Sequence, residues 1–343
     1  MSGETLRTQA TASHNQAVAV PDEFEESRIT GTVVICTRHR PDTLRKCLEA
    51  VAQQQLPPEE VIVVDNSAGD RATECAARDY GARYLVEPNL GLSRARNLGL
   101  AVSKSAIVAF LDDDSVPEPQ WLGSLLEPFH NARVASVTGK TISSDAGSPG
   151  PCEEDPVWFI SNEDPKWFER AAFGALGIGA NMAFRKDACA GSSFFDTRLG
   201  RGGAIGGGEE SHAFLTLLCR GYSAAHTSKA VVSHPSKPMQ VEQEASTAVA
   251  YWLLLLREFP GHRIELLHFL FRRLRHKPLD WRRDSPAFGP LVTSSWETRL
   301  KAVLAALRLL SRSQAAATRA DAPSPGYSSA PAVVCTQELE PHK

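Results

Sequence analysis

Short apolar runs alternate with amphipathic stretches over the first third of the chain, beginning at residue 32. The apolar runs have the length and the β-branched content of strands, and they occupy residues 32–36, 61–64, 83–86 and 106–111. Helical spacing of apolar residues fills the intervals, at about 42–51, 70–80 and 92–102. Strands that alternate with helices at this spacing predict parallel βαβ units. The fold class is therefore α/β, with a sheet covered by helices on both faces.

Polar residues follow each of these predicted strands. They are Thr37 and Arg38, then Asp65 and Asn66, then Glu87–Asn89, and finally Asp112-Asp113-Asp114. The carboxyl ends of parallel strands lie at one edge of a sheet, and ligands of such sheets bind there. The sequence thus predicts a binding crevice formed by these four clusters.

The carboxylate run at 112–114 has two interpretations. Three adjacent carboxylates repel one another, and a divalent cation such as Mg²⁺ would relieve that repulsion. Because alternate residues of an extended segment point the same way, Asp112 and Asp114 would share a face. A solvated acidic turn, with Pro117 ending the strand, explains the same residues without a metal.

Two further motifs are candidates for chemistry. Glycines 202, 203, 206, 207 and 208 precede Glu209-Glu210, which start a predicted helix at about 209–220. Such glycines allow a close approach to a ligand or movement of a lid, whereas acidic residues at a helix start also simply complement its dipole. His234 follows a short predicted strand and is either a metal or phosphate contact or an ordinary loop residue.

The remainder of the chain divides by composition. Residues 134–139 and 177–185 are predicted strands, whereas 141–170 is predicted to be a long loop excursion because it is rich in Pro, Gly, Asp and Glu. The predicted organisation is a disordered leader at 1–30, a catalytic domain at 31–238, a helical C-terminal region at 239–312, and a disordered tail at 313–343.

Composition narrows the class of protein. The net charge of −3 and the pI of about 6.4 do not suggest a nucleic-acid binder. Seven cysteines without a CxxC pair favour reduced thiols in the cytoplasm over a disulfide framework. No apolar run reaches the roughly 20 residues that span a bilayer. We therefore expect a cytoplasmic protein, either free or peripheral at the inner face of the cell membrane.

Six segments then occur in a specific order. They are TVVICTRHRP, VIVVDNSAGD, NLGLSRARNLGL, FLDDDSVPEPQWL, GANMAFRKDA and GGGEES. Together they resemble the inverting glycosyltransferases of family 2, over about residues 30–235. The resemblance implies a GT-A fold, whose mostly parallel sheet is flanked by helices, here with a C-terminal helical region added. It also implies transfer of a sugar from a nucleotide-diphosphate sugar to the hydroxyl of a glycan or lipid-linked acceptor, with Mg²⁺ or Mn²⁺ as cofactor.

The same resemblance implies roles for individual residues. On the nucleotide side, the matching positions are Thr37, Arg38, Asp65, Arg94, Asn97 and Asp112. The metal ligands would be Asp114, Asp112 and His234, with Asp113 in a structural role. Asn181 and Gly208 would lie in the donor and acceptor pocket. Glu210 stands where the family usually has its catalytic Asp, whose side chain is one methylene shorter. Glu209 is the alternative base.

Two other functions use the same residues. A non-catalytic nucleotide-sugar-binding protein could have the same fold, but the acidic residues at 112, 114, 209 and 210 argue against it. A nucleotidyltransferase would need a glycine-rich phosphate loop after the first strand, and TRHRP has no glycine.

The C-terminal region lies outside the resemblance. Residues 257–312 contain twelve basic and five acidic residues, a net charge of +7, within apolar stretches such as 264–277 and 300–310. One interpretation is helices packed on the catalytic domain or in a dimer. The other is a peripheral contact with a membrane that carries the lipid-linked acceptor.

Overall fold

The computed structural model describes residues 29–144, 157–173, 176–190, 193–235, 241–275 and residue 304. The predicted disordered tail at 313–343 lies outside these residues, as does the leader apart from residues 29 and 30. Most of the predicted helical region beyond residue 275 also lies outside them.

Nine strands of the described part form a single mixed sheet. They are β1 (Gly31–Thr37), β2 (Glu60–Asp65), β3 (Arg83–Val86), β4 (Ile107–Asp112), β5 (Val116–Pro117), β6 (Val134–Ser143), β7 (Trp158–Ile160), β8 (Asn181–Arg185) and β9 (Ser223–His234). The strand order is β3-β2-β1-β4-β8-β6-β9-β5, and β7 also pairs with β9. Six strands run in one direction, whereas β5, β7 and β8 run antiparallel to their neighbours.

Eight α-helices of the described residues accompany the sheet. They are α1 (Pro41–Ala52), α2 (Arg71–Asp79), α3 (Leu92–Val102), α4 (Trp121–Leu126), α5 (Trp167–Ala172), α6 (Glu209–Cys219), α7 (Val241–Glu258) and α8 (Arg263–Arg275). Alternate residues of β1 enter two separate cores, Val33 and Ile35 on one face and Val34 and Cys36 on the other. The predicted α/β class, with helices on both faces of a mostly parallel sheet, is confirmed.

The predicted loop excursion at 141–170 was wrong in part. Strand β6 continues to Ser143, β7 pairs antiparallel with β9, and Trp167 begins helix α5. Trp158 stacks on His226 of β9, with ring centroids 5.3 Å apart. Tertiary contacts between aromatic rings stabilise this segment, whereas its local composition is typical of a loop.

Two predicted strands differ in extent. The predicted strand at 177–185 is regular only over β8, which is antiparallel to both of its neighbours. The last strand, β9, spans twelve residues and is much longer than the short strand predicted before His234, which covers only residues 231 and 232. Its sequence mixes Ser, Ala, Thr and His rather than a continuous apolar run, and the strand is instead specified by pairing with β6.

No helix in the described ranges combines the length and the apolarity needed to cross a membrane. The apolar segment 249–256 lies within α7, where Ala250, Leu254 and Leu255 are buried in the core.

Candidate active site

The carboxyl ends of three neighbouring strands open into one cleft. Register places Thr37 of β1 beside Asp65 of β2, and Cys36 of β1 beside Asp112 of β4. The cleft has a volume of about 400 Å³ and is lined by Cys36, Thr37, Arg38, Arg40, Asn66, Leu90, Leu92, Asp112, Asp113, Asp114, Arg201 and Gly202. Most of the predicted polar clusters therefore meet at this edge of the sheet.

Asp112, Asp114 and His234 converge within the cleft region. Their nearest ligand atoms all lie within 4.8 Å of one another. His234 Nε2 is 3.1 Å from Asp114 Oδ1 and 3.6 Å from Asp112 Oδ2. Two carboxylates and an imidazole form a donor set that suits Mn²⁺ or Mg²⁺, which would complete its coordination with phosphate oxygens and water. These three residues fit a divalent cation.

Asp113 turns away from this group. Its carboxylate accepts a hydrogen bond from the Thr37 hydroxyl at 2.7 Å and pairs with Arg40 at 2.9 Å. Burial raises the pKa of Asp113, although Thr37 and Arg40 oppose that effect. Arg40 also contacts Asp114 Oδ2 at 2.8 Å, so its guanidinium holds the carboxylate run in place.

Burial tends to raise the pKa of Asp112 too, but the hydrogen bond from His234 and the charge of Arg96 outweigh it, so this pKa is lowered. Asp112 is consequently kept ionised, which is the state that a metal ligand requires.

The end of β2 forms one side of the cleft. Asp65 is fully buried, and its Oδ2 accepts hydrogen bonds from the Tyr84 hydroxyl at 2.7 Å and from the Asp70 amide at 3.0 Å. Asn66 lines the cleft and accepts a hydrogen bond from the Gly91 amide at 2.8 Å. These bonds fix the end of β2 against the turn before α3.

Arg96 is a further residue of the candidate site that the sequence interpretation missed, since an arginine in an amphipathic helix is usually solvated. It is only 2% exposed. Its guanidinium lies 3.0 Å from Glu209 Oε1 and 3.4 Å from Asp112 Oδ1. Arg96 thus joins the candidate metal group to the start of α6. The local sequence SRARN is typical of a solvated helix, so nothing in it indicates that Arg96 is buried.

Two glycines make room for this buried ion pair. A Cβ on Gly179 would lie 2.6 Å from the Arg96 guanidinium, and a Cβ on Gly200 would lie 3.0 Å from the Glu209 carboxyl carbon. Gly200 also has a φ of 89°, a conformation that side chains disfavour. Both positions therefore require glycine as long as Arg96 and Glu209 are paired.

The two candidate bases differ in environment. Glu209 is buried and paired with Arg96, whereas Glu210 Oε2 is buried and has no hydrogen-bond partner among the described residues. Burial and the neighbouring Glu209 raise the pKa of Glu210 to about 8. Gly208, which caps α6, has a φ of 88° and lies against the ring of Tyr251.

Eight predicted site residues are not among those that line the cleft: Asp65, Arg94, Asn97, Asn181, Gly208, Glu209, Glu210 and His234. The Asn97 amide donates to the Phe195 carbonyl at 2.7 Å and its oxygen accepts from the Phe195 amide at 2.8 Å, so Asn97 fastens that loop. Arg94 lies on the first turn of α3 with its aliphatic stem against Gly91.

Asn181 requires a correction. Its side chain is fully buried and bonds to Trp121 Nε1 and to the carbonyls of Lys140 and Ala230. These three bonds make Asn181 an internal tie between strands, and the structure does not bring it to a sugar pocket.

Known proteins share this sequence pattern. Residues 32–190 match the family model described as glycosyl transferase family 2. The glucosyl-dolichyl phosphate glucuronosyltransferase of Haloferax volcanii is 28% identical over 182 residues, which is 50% of this chain and 58% of the relative. The succinoglycan biosynthesis protein ExoM of Rhizobium meliloti is 29% identical over 211 residues, 59% of this chain and 65% of the relative. The matches thus span less than two thirds of these relatives.

Solved structures share the fold. S. aureus TarS aligns with a TM-score of 0.54 at 14% identity, covering 84% of this chain and 50% of TarS. The mannosyltransferase PcManGT from Pyrobaculum calidifontis, in complex with GDP-Man and Mn²⁺, aligns with a TM-score of 0.52 at 19% identity, covering 84% and 83% of the two chains. The matched segment contains β1 to β4 and the carboxylate run, and the sheet has the GT-A arrangement. Residues 32–190 of the chain therefore belong to glycosyl transferase family 2.

Proposed function

We propose that this protein transfers a sugar from a nucleotide-diphosphate sugar to an acceptor hydroxyl, with inversion at the anomeric carbon, in the synthesis of a surface glycan. The observation that carries the proposal is the convergence of Asp112, Asp114 and His234 at the sheet edge. The names of relatives support it: one is a glucuronosyltransferase for a glucosyl-dolichyl phosphate, and another is a succinoglycan biosynthesis protein.

The donor would bind with its diphosphate at the metal group and its nucleoside towards the end of β2. A divalent cation held by Asp112, Asp114 and His234 would supply charge neutralisation for the departing nucleoside diphosphate. The crystallised mannosyltransferase with GDP-Man and Mn²⁺ supports this choice of ligand and ion. Arg38 and Arg40 line the same cleft and add positive charge beside the phosphates.

Glu210 would act as the general base. Its carboxylate accepts the proton of the acceptor hydroxyl while that oxygen attacks the anomeric carbon. The bond from this carbon to the diphosphate oxygen breaks in the same displacement, and the electron pair leaves on the diphosphate. A single displacement inverts the configuration. The unpaired, buried Oε2 of Glu210 supports this role.

A panel of nucleotide sugars tests the proposal. We expect at least one donor to be hydrolysed slowly in the presence of Mn²⁺ or Mg²⁺, and hydrolysis to stop with EDTA, because the diphosphate charge would then lack its counter-ion. Calorimetry with the matching nucleoside diphosphate should show metal-dependent binding. Metal-dependent binding without hydrolysis or transfer of any donor would favour a non-catalytic binding protein instead.

An anionic membrane surface is the proposed location of a lipid-linked acceptor. Helix α8 has an exposed apolar row, with Ile264 73%, Leu267 51% and Phe271 56% exposed. The same helix contains four arginines and one glutamate. A helix that combines exposed apolar residues with basic ones suits the interface of an anionic bilayer.

Liposome co-sedimentation checks this surface. We expect the protein to sediment with vesicles that contain phosphatidylglycerol, and the Ile264→Glu/Leu267→Glu variant to lose most of that binding. Tyr80→Glu, which changes an exposed aromatic residue next to α2, should bind like the wild type. Equal sedimentation of the wild type and the double variant would remove the membrane contact from the proposal.

A further inference from the structure

Helix α7 lies beyond the residues matched by the family model, yet it packs directly on the glycine loop that precedes Glu209. We define this glycine loop as residues 202–208. A Cβ added to Gly206 would lie 3.4 Å from Thr247 of α7, and a Cβ added to Gly207 would lie 3.5 Å from the same residue. A Cβ on Gly208 would lie 2.9–3.1 Å from ring carbons of Tyr251. The last glycine of the loop thus accommodates Tyr251, and α7 forms one wall beside the candidate base.

Two buried polar atoms meet this wall without hydrogen-bond partners in the described part of the chain. One is the Tyr251 hydroxyl, in a residue only 3% exposed, and the other is Glu210 Oε2. Buried polar atoms are nearly always paired in folded proteins, with protein groups or with ordered water. Burial, and next the charge of Glu210, raise the pKa of Tyr251 well above its usual value. The hydroxyl therefore stays protonated and is able to donate a hydrogen bond towards a carboxylate.

Side-chain contacts of Glu258 help to position α7 relative to α6. Glu258, at the end of α7, pairs with Arg198 and with His212 Nε2, the latter at 3.2 Å. His212 belongs to α6, two residues after Glu210. Tyr251 is therefore carried on a helix that is fastened to the helix of the candidate base.

We propose that Tyr251 is a positioning residue for Glu210: its ring fixes Gly208, and its hydroxyl donates a hydrogen bond to one buried water that in turn donates to the ionised Glu210 carboxylate. This inference rests on the proposed function for its meaning in catalysis. It assigns a part of the active site to the C-terminal helical region. It also explains how a carboxylate in a dry environment is stabilised once it has lost its proton.

Other charged groups face the same carboxyl. Glu209 disfavours ionisation of Glu210, and the Arg96 guanidinium favours it. From α7, the Tyr251 hydroxyl is the buried, unpartnered donor that we assign to Glu210. Because a hydrogen bond to the charged form lowers a carboxyl pKa, removing the Tyr251 hydroxyl must raise the pKa of Glu210.

The Tyr251→Phe variant tests the proposal, because it removes one oxygen and keeps the ring against Gly208. We expect the acidic limb of the pH–rate profile to move up by roughly 0.5–1 pH unit. The value of kcat at neutral pH should fall about 3- to 10-fold, while KM for the donor stays the same. Tyr222→Phe, which alters a partly buried tyrosine beyond the other end of α6, serves as the matched control.

A second measurement does not depend on turnover. The pKa of Glu210 can be followed by NMR of protein labelled with ¹³C at the glutamate carboxyl carbon, with Glu210→Gln identifying the signal. We expect a higher pKa in Tyr251→Phe than in the wild type. If no donor is turned over, the proposed function fails, but the comparison of NMR pKa values still tests the interaction between Tyr251 and Glu210. An unchanged NMR pKa in Tyr251→Phe would overturn the inference, whatever the activity.

Discussion

The Asp114→Ala variant is expected to lose metal-dependent sugar transfer by about 10³-fold or more, since the developing diphosphate charge would lose its counter-ion. Asp114 contributes Oδ1, which lies 3.1 Å from His234 Nε2. Without this carboxylate, Asp112 and His234 alone form a weak divalent site. Transfer and donor hydrolysis at saturating Mn²⁺ measure the loss, and calorimetry with Mn²⁺ measures the metal affinity directly.

A matched control lies one residue away. Asp113→Asn removes the same charge from the same run, but Asp113 pairs with Thr37 and Arg40 rather than facing His234. We expect this variant to keep its Mn²⁺ affinity within about threefold of the wild type. Full Mn²⁺-dependent transfer by Asp114→Ala would contradict the assignment of Asp114 as a metal ligand.

The Glu210→Gln variant should lose acceptor transfer by about 10³-fold or more while it still binds the nucleoside diphosphate and Mn²⁺. Glutamine has nearly the same shape but cannot accept the proton. In the wild type, transfer should rise with pH up to about 8, the pKa of Glu210, because only the ionised carboxylate acts as a base. Transfer rates across pH 6–9 test the role of Glu210 as the base. Calorimetric titration with the nucleoside diphosphate tests whether the variant still binds it.

The free energy of unfolding should decrease over the pH range in which transfer increases. The folded protein holds a proton on Glu210 that the unfolded chain releases, since the pKa is raised from 4.5 to about 8. More protons are then bound in the folded state, so this group makes the free energy of unfolding decrease as pH rises through that window. Glu210→Gln removes the decrease and should raise Tm at pH 8. Transfer by Glu210→Gln at the wild-type rate would make Glu209 the next base to test by the same substitution.

The sheet edge was predictable from the sequence because its signals are local. Continuous β-branched runs placed Thr37, Asp65 and Asp112 at strand ends, and parallel pairing then brought those ends together. The start of α6 was predictable for a similar reason, since the glycines and the acidic pair at 209 and 210 mark a helix beginning.

Other parts of the site depend on contacts between distant segments. The burial of Arg96 requires Glu209, more than a hundred residues later, and no local pattern indicates that pairing. The sequence suggested a mobile lid or a ligand contact for the glycine loop, whereas Gly208 accommodates Tyr251 from a helix outside the family resemblance. Asn181 lies in a segment that resembles a pocket motif, but its partners come from β6, β9 and α4.

The pairing of Arg96 with Glu209 has a consequence for the substitutions that this chain can accept nearby. Gly179 can accept a larger side chain only after Arg96 has been shortened, because a Cβ there would lie 2.6 Å from its guanidinium, whereas Gly200 would stay strained by its φ of 89° even without Glu209. At position 179 the order of engineered substitutions is therefore constrained, with Arg96 changing first and the glycine afterwards. A graft that replaces one of these four positions should replace all four as one block.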